Sequence, residues 1–263
     1  MSRSSSEAAY TAPVIPYLAH PTLDLGFYTL KAFPVLVLSA IVVQFEVTVR
    51  RAPRVGISRD TATSLIAWAI GLGLASAHVF DVLTYFPERL RADPLELFRV
   101  WGSLSSTGGM LGGLAGLYLV ARNKGLRGAE LVGFFDVVAF ALPFTLALGR
   151  LGCALQHDHL GLASHHWLAV AFPDGPRFDL GLLEFLWVAA VAACFLALDR
   201  APRRPGFWMA AFFALYAPVR FGLDFLRTGD ATYLGWTPAQ YLAVAATLAA
   251  GGWLVRTWRR PLA

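Results

Sequence analysis

Seven apolar stretches dominate the chain, at 27–48, 62–84, 105–121, 131–154, 181–199, 207–226 and 239–256. Each comes near the ~20 residues a helix needs to cross the hydrocarbon core of a bilayer. Only helices and closed barrels satisfy their backbone polar groups in lipid, and barrel strands would alternate in hydropathy where these runs do not. The expected fold class is therefore an all-α integral membrane protein with seven transmembrane helices. Composition agrees, since 57% of residues are hydrophobic and only 15% charged, too few to cover a soluble surface. The first stretch has neither a basic segment before it nor a small-residue cleavage site after it, so it does not read as a signal peptide. Residues 1–24 read as an N-terminal tail containing serine and proline, and 25–263 as a single transmembrane domain.

Arginine and lysine orient this array. One set of loops holds 13 of them, at Arg50, Arg51, Arg54, Arg59, Arg122, Lys124, Arg127, Arg200, Arg203, Arg204, Arg256, Arg259 and Arg260. The alternate set holds 6, at Arg3, Arg89, Arg91, Arg99, Arg177 and Arg227. Lys31, Arg150 and Arg220 lie within or at the rims of helices. Positive charge gathers on the cytoplasmic side, which places the N-terminus outside, in the periplasm of a two-membrane bacterium, and the C-terminus inside. The net charge of +5 is spread over short clusters between apolar runs, so no nucleic-acid partner is expected. Cys153 and Cys194 offer neither a metal-type pair nor a disulfide framework and read as small buried residues.

Against this background the segment ALGRLGCALQHDHLG, 147–161, stands out. Arg150 follows an almost unbroken apolar run and sits near the outer end of the fourth stretch. Alone it can be an arginine snorkelling to the interface. Other ionisable groups accompany it, however: Asp136 in the same stretch, Glu184 at the outer start of the fifth, and Tyr216, Arg220, Asp224 and Arg227 along the sixth. The spacing of those last four, 4, 4 and 3, puts them on one helix face. Ionisable groups at membrane depth are costly and face a bundle interior or a wet cavity. They can be structural ion pairs. An excess of arginine over its acidic partners would instead suit an anionic lipid phosphate held by bidentate contacts. The third stretch carries Gly108, Gly109, Gly112, Gly113 and Gly116. These glycines read as close helix packing, and the preceding Ser105-Ser106-Thr107 as a helix opening with amides available to an anion.

These segments resemble the bacterial prolipoprotein diacylglyceryl transferases. GRLGCALQHDHLG is similar to the family signature Gly-Arg-Ile-Gly-Asn-Phe-x-Asn-Gly-Glu-x-x-Gly, through Gly149, Arg150, Gly152 and Gly161. Asp158 stands for the glutamate and Cys153 for the first asparagine. GSLSSTGGMLGG is similar to Gly-Gly-Met-Ser-Phe-His-Gly-Gly-Leu-x-Gly. WLAVAFPDGPRFDLGLLE is similar to a Trp-x-Val-x-Phe-Pro segment followed by Arg-His-Pro-x-Gln-Leu-Tyr-Glu, with Arg177 and Glu184 matching its ends. YAPVRFGLDFLRTGD resembles Tyr-Gly-x-x-Arg-Phe-x-x-Glu-Phe-x-Arg-x-x-Asp through Tyr216, Arg220, Phe221, Arg227 and Asp230, with Asp224 for the glutamate. Gln240 matches a closing Gly-Gln segment.

The resemblance implies a transferase that moves diacylglycerol from phosphatidylglycerol to the lipobox cysteine of a preprolipoprotein signal peptide, releasing glycerol phosphate. It implies a multi-pass protein of the bacterial inner membrane, a monomer among membrane lipids, with its site toward the periplasm and with no cofactor or metal. Arg150 and Arg220 are expected to hold the departing phosphate. Asp158 and Asp224 are the expected catalytic carboxylates, and Tyr28, Thr107, Gly108, Gly109, Cys153, Glu184 and Tyr216 the substrate-binding residues. The family histidine of His-Gly-Gly is Thr107 here, and a threonine hydroxyl is no base near neutral pH. His78, in a segment similar to the family's Gly-x-Arg-x-x-Tyr-Val-Leu, is expected to accept the thiol proton, oriented by Asp81; the alternative is a rim histidine that packs against Asp81. His157 and His159 have a spacing that can bind metal, which is weak evidence alone. A second reading of the whole chain is a non-catalytic relative that binds anionic lipid or acts on another acceptor.

Overall fold

The computed structural model describes residues 15–27, 29–84, 86–99, 104–228 and 232–258. The chain folds mainly into helices: α1 (Ala32–Arg51), α2 (Arg59–Thr84), a short α3 (Pro87–Ala92), α4 (Ser106–Asn123), α5 (Gly128–Gln156), α6 (Leu180–Leu198), α7 (Phe207–Asp224) and α8 (Pro238–Trp258). The seven long helices fall on the seven apolar stretches. Among the described residues, four segments, Ala32–Val55, Arg59–Leu83, Gly128–Gln156 and Leu180–Leu198, are long and apolar enough to cross a membrane. Val35, Leu38 and Val42 on α1, and Leu111, Leu114 and Tyr118 on α4, recur at helical spacing and are exposed. Apolar stripes turned outward are the mark of helices solvated by lipid rather than by water.

The all-α expectation needs one correction. The segment between α5 and α6 forms β4 (Leu160–Ala163), β5 (Val170–Phe172) and β6 (Gly175–Asp179), joined by β1 (Ile15–Pro16) in a sheet of order β1-β5-β6-β4. β5 and β6 are antiparallel across a turn at Gly175 (φ +120°), and β1 runs parallel to β5 with Ile15 opposite Val170. A second hairpin pairs β2 (Thr22–Asp24) with β3 (Thr29–Lys31) and moves the start of the first helix from 27 to Ala32. Lys31 thus lies in a strand. Strands this short bury few alternating positions, so they leave little hydropathy signal.

The chain divides into two compact units, Met1–Gln44 with Val138–Ala263, and Phe45–Val137. In the second unit, α2 and α4 meet along a stripe of glycines. A Cβ on Gly108 would lie 2.4 Å from Phe80 Cβ, one on Gly112 2.1 Å from Ser76 Cβ, and one on Gly116 2.6 Å from Leu72 Cδ1. The two sets, 108/112/116 and 80/76/72, run in opposite directions at one residue per turn. This is small-residue packing that brings two antiparallel backbones together. Ser105 caps α4: its hydroxyl accepts from the Gly108 amide at 3.3 Å, and its carbonyl accepts from the Gly109 amide at 2.9 Å. Two amides of this helix opening, those of Gly108 and Gly109, are therefore already bonded.

In the first unit, Phe140, Phe195 and Trp208 lock α5, α6 and α7 together, with ring centroids 4.7–5.9 Å apart. Gly181, at the start of α6, is pressed against α5: a Cβ there would stand 2.8 Å from the Ala154 amide nitrogen. α6 begins there because Asp179 caps it, accepting from the Leu182 amide at 3.0 Å.

Candidate functional site

The contact at Gly181 sets the geometry of the ionic site. Arg150 lies about one turn before Cys153 on α5, and Glu184 one turn after Gly181 on α6. Backbone contact between the helices brings the two side chains together, with Arg150 Nε 3.0 Å from Glu184 Oε1. The Tyr216 hydroxyl donates to the same Oε1 from α7. Arg220, one turn further along α7, brings NH1 to 3.6 Å from Glu184 Oε2. Glu184 is only 1% exposed, whereas the side chains of Arg150 and Arg220 remain 19% and 14% exposed. Two guanidinium groups thus share one buried carboxylate, and both side chains remain partly exposed. A guanidinium carries five donors in a fixed fork, more than half a carboxylate can use.

Asp224 extends the cluster. Its Oδ1 lies 2.8 Å from Arg220 NH2 and 3.9 Å from Arg227 NH1, as the spacing along α7 predicts. Its Oδ2 accepts from the Thr237 hydroxyl, a contact the sequence reading missed. Thr237 is also the cap of α8. Its Oγ1 accepts from the Gln240 amide at 3.2 Å, and Gln240 Oε1 accepts from the Thr237 amide at 2.9 Å. TPAQ, 237–240, carries that signal: threonine, proline at the first helical position and glutamine three residues on make a capping box. Gln240 Nε2 also donates to the Phe221 carbonyl at 3.2 Å, pinning α8 to the turn of α7 that bears Arg220.

The residues after α5 fold back. His157 adopts a left-handed backbone (φ +52°) and is clamped on both ring nitrogens: Nδ1 is 2.6 Å from Asp179 Oδ2 and Nε2 is 2.9 Å from the Leu18 carbonyl. Tyr17 stacks on its ring at 4.6 Å. The turn returns Asp158 and His159 to Cys153, and one donor atom from each lies within 4.8 Å of the others. Asp158 is exposed, and its Oδ1 is 3.4 Å from His159 Nδ1. His159 therefore joins Cys153 and Asp158, while His157 serves the sheet and the cap of α6.

In the other unit, His78 is 2% exposed on α2. Its Nε2 bonds to the Glu96 carbonyl at 2.9 Å, so Nε2 carries the hydrogen, and Nδ1 is buried with no hydrogen-bond partner. Gly108 and Gly109 belong to the α2–α4 contact. Tyr28, Asp230 and the side chain of Thr107 lie outside the described residues.

The family model for prolipoprotein diacylglyceryl transferase matches residues 21–256. A protein of Chromohalobacter salexigens named phosphatidylglycerol–prolipoprotein diacylglyceryl transferase is 32% identical over 93% of this chain and 96% of its own length. Proteins of the same name from Paenarthrobacter aurescens and Vibrio parahaemolyticus are each 30% identical, covering 90% and 82% of this chain and 81% and 82% of their own. The match runs through every helix that builds the ionic cluster, and the chain belongs to the prolipoprotein diacylglyceryl transferase family.

Proposed function

We propose that this protein transfers the diacylglyceryl group of phosphatidylglycerol to the lipobox cysteine of a preprolipoprotein. The observation that carries the reading is the pair Arg150–Arg220 on the single carboxylate of Glu184, two cationic side chains that are each partly exposed. In the reaction the thiol sulfur attacks the glyceryl carbon bonded to the phosphate oxygen. A C–S bond forms, that C–O bond breaks, and glycerol phosphate leaves with the bonding electrons. Arg150 and Arg220 hold the phosphate and neutralise the charge that grows on its leaving oxygen.

Glu184 and Tyr216 position the two guanidinium groups, and Asp224, held by Thr237, fixes Arg220 from its other side. The thiol must lose its proton, and in this reading His78 accepts it. Asp158 provides a solvent-facing carboxylate at the end of α5, beside Cys153. Tyr28, Thr107, Gly108 and Gly109 contribute to substrate binding in this reading. All seven long helices span the inner membrane, with the N-terminus and the sheet of 160–179 on the periplasmic side and the protein acting as a monomer. Support comes from the bias of lysine and arginine toward the opposite loops.

Complementation tests the reading. Expressed in cells depleted of their own transferase, the chain is expected to restore diacylglyceryl-modified prolipoprotein. Absence of the thioether-linked product from well-expressed, membrane-inserted protein would instead favour a lipid-binding relative without transferase activity.

A further inference from the structure

Cys153, Asp158 and His159 converge at the end of α5 although nothing in their spacing announces a metal motif. We propose that they form a binding site for one Zn²⁺ ion. Three features of the structure carry the inference.

The first is the donor set. One sulfur, one imidazole nitrogen and one carboxylate oxygen, all within 4.8 Å of one another, match the ligand types zinc takes. Tetrahedral zinc with bonds of about 2.0–2.3 Å sets its donors roughly 3.3–3.8 Å apart, so the trio closes on an ion with side-chain shifts of about 1 Å. Asp158 Oδ1 and His159 Nδ1, at 3.4 Å, already have that separation. Calcium and magnesium prefer an all-oxygen shell, and the thiolate selects against both.

The second is preorganisation. Cys153 sits in the last turns of α5, where Gly181 of α6 presses on its backbone. Asp158 and His159 reach it only because His157 takes a left-handed conformation, which is costly for a residue with a side chain. The contacts of its ring with Asp179 and Leu18 hold that turn in place. The chelating geometry is thus maintained by residues outside the chelate.

The third is access. Asp158 is exposed and His159 half-buried, so an ion can arrive from the aqueous side, and three protein ligands leave a fourth tetrahedral position for water or an exogenous donor. Ion binding does not depend on lipid transfer, and the two are separable by experiment.

The test uses the full chain purified in detergent and stripped of metal. Dialysis against ZnCl₂ followed by elemental analysis is expected to return one zinc per chain. Cys153→Ser and His159→Gln should each weaken binding by more than the roughly 10–100-fold that loss of an outer-shell partner costs. Cys194→Ser should leave it unchanged. Co²⁺ bound to the unmodified chain should show a thiolate-to-metal charge-transfer band, present in Cys194→Ser and absent in Cys153→Ser. A cobalt spectrum of the unmodified chain without that band overturns the proposal whether or not the variants fold. So does zinc that binds equally to all variants, which marks an adventitious ion only.

Discussion

Arg150 and Arg220 lie 70 residues apart in sequence and close on the two oxygens of one carboxylate, Glu184, at 3.0 and 3.6 Å. Glu184 is the hinge of the cluster, since it is buried on α6 while both arginines reach it from neighbouring helices. Replacing it by glutamine keeps the shape and removes the charge. Breaking a buried pair from one side costs about 3–5 kcal/mol, because the remaining charges lose their compensation. Glu184→Gln is therefore expected to lower the unfolding free energy by about that amount, measured by denaturant titration in micelles. An unchanged midpoint would show that solvent, rather than Glu184, balances the arginines.

Thr237 holds the other end of the cluster, capping α8 and donating to Asp224. Thr237→Val removes both interactions and is expected to cost about 1–2 kcal/mol, whereas Thr237→Ser keeps the hydroxyl and most of the stability. Equal losses in both variants would assign the effect to packing of the methyl group.

The glycine stripe between α2 and α4 admits no side chain. Gly112→Leu drives its Cβ into Ser76, where the clearance is 2.1 Å, and is expected to destabilise the protein by at least about 1–3 kcal/mol. Gly251, in α8 with nothing within 4 Å, is the contrasting case. Gly251→Ala should raise stability by about 0.5–1 kcal/mol through helix propensity alone. Thermal unfolding of the two variants side by side checks both signs.

How much of this was legible in the sequence depends on the physics behind each signal. The long helices were, because lipid demands unbroken apolar runs. Arg150, Glu184, Tyr216 and Arg220 were, because a charge in such a run needs a reason and their helical spacing gave them one face. Thr237 is written in TPAQ, yet a capping box reads as a helix start and not as a neighbour of Asp224. The sheet of 160–179 was hidden by the brevity of its strands. The meeting of Cys153 with His159 depends on a single left-handed residue, His157, and a backbone angle of that kind leaves no trace in hydropathy or spacing. Gly108, Gly112 and Gly116 pack α4 against α2, and Ser105 bonds the amides of Gly108 and Gly109, contacts that spacing alone does not separate from a ligand-facing opening.

His78 Nδ1 is a buried ring nitrogen without a hydrogen-bond partner among the described residues. Loss of a general base costs about 10²–10⁴-fold in rate. His78→Ala is expected to reduce transfer within that range while phosphatidylglycerol binding stays intact, read from initial rates and lipid retention in the same preparation. Full activity in the variant would remove His78 from the mechanism and leave it as a packing residue bonded to Glu96.

The most direct measurement of the central claim is transfer itself. The purified chain, reconstituted in phosphatidylglycerol vesicles with a lipobox peptide, is followed by mass spectrometry of the peptide. The unmodified chain should add a diacylglyceryl group to the cysteine sulfur. Arg150→Ala and Arg220→Ala should each slow the reaction by about 10²-fold or more, and Arg150→Lys should not restore it, because an ammonium cannot reproduce the fork. Product formed at an unchanged rate by either alanine variant would contradict the account.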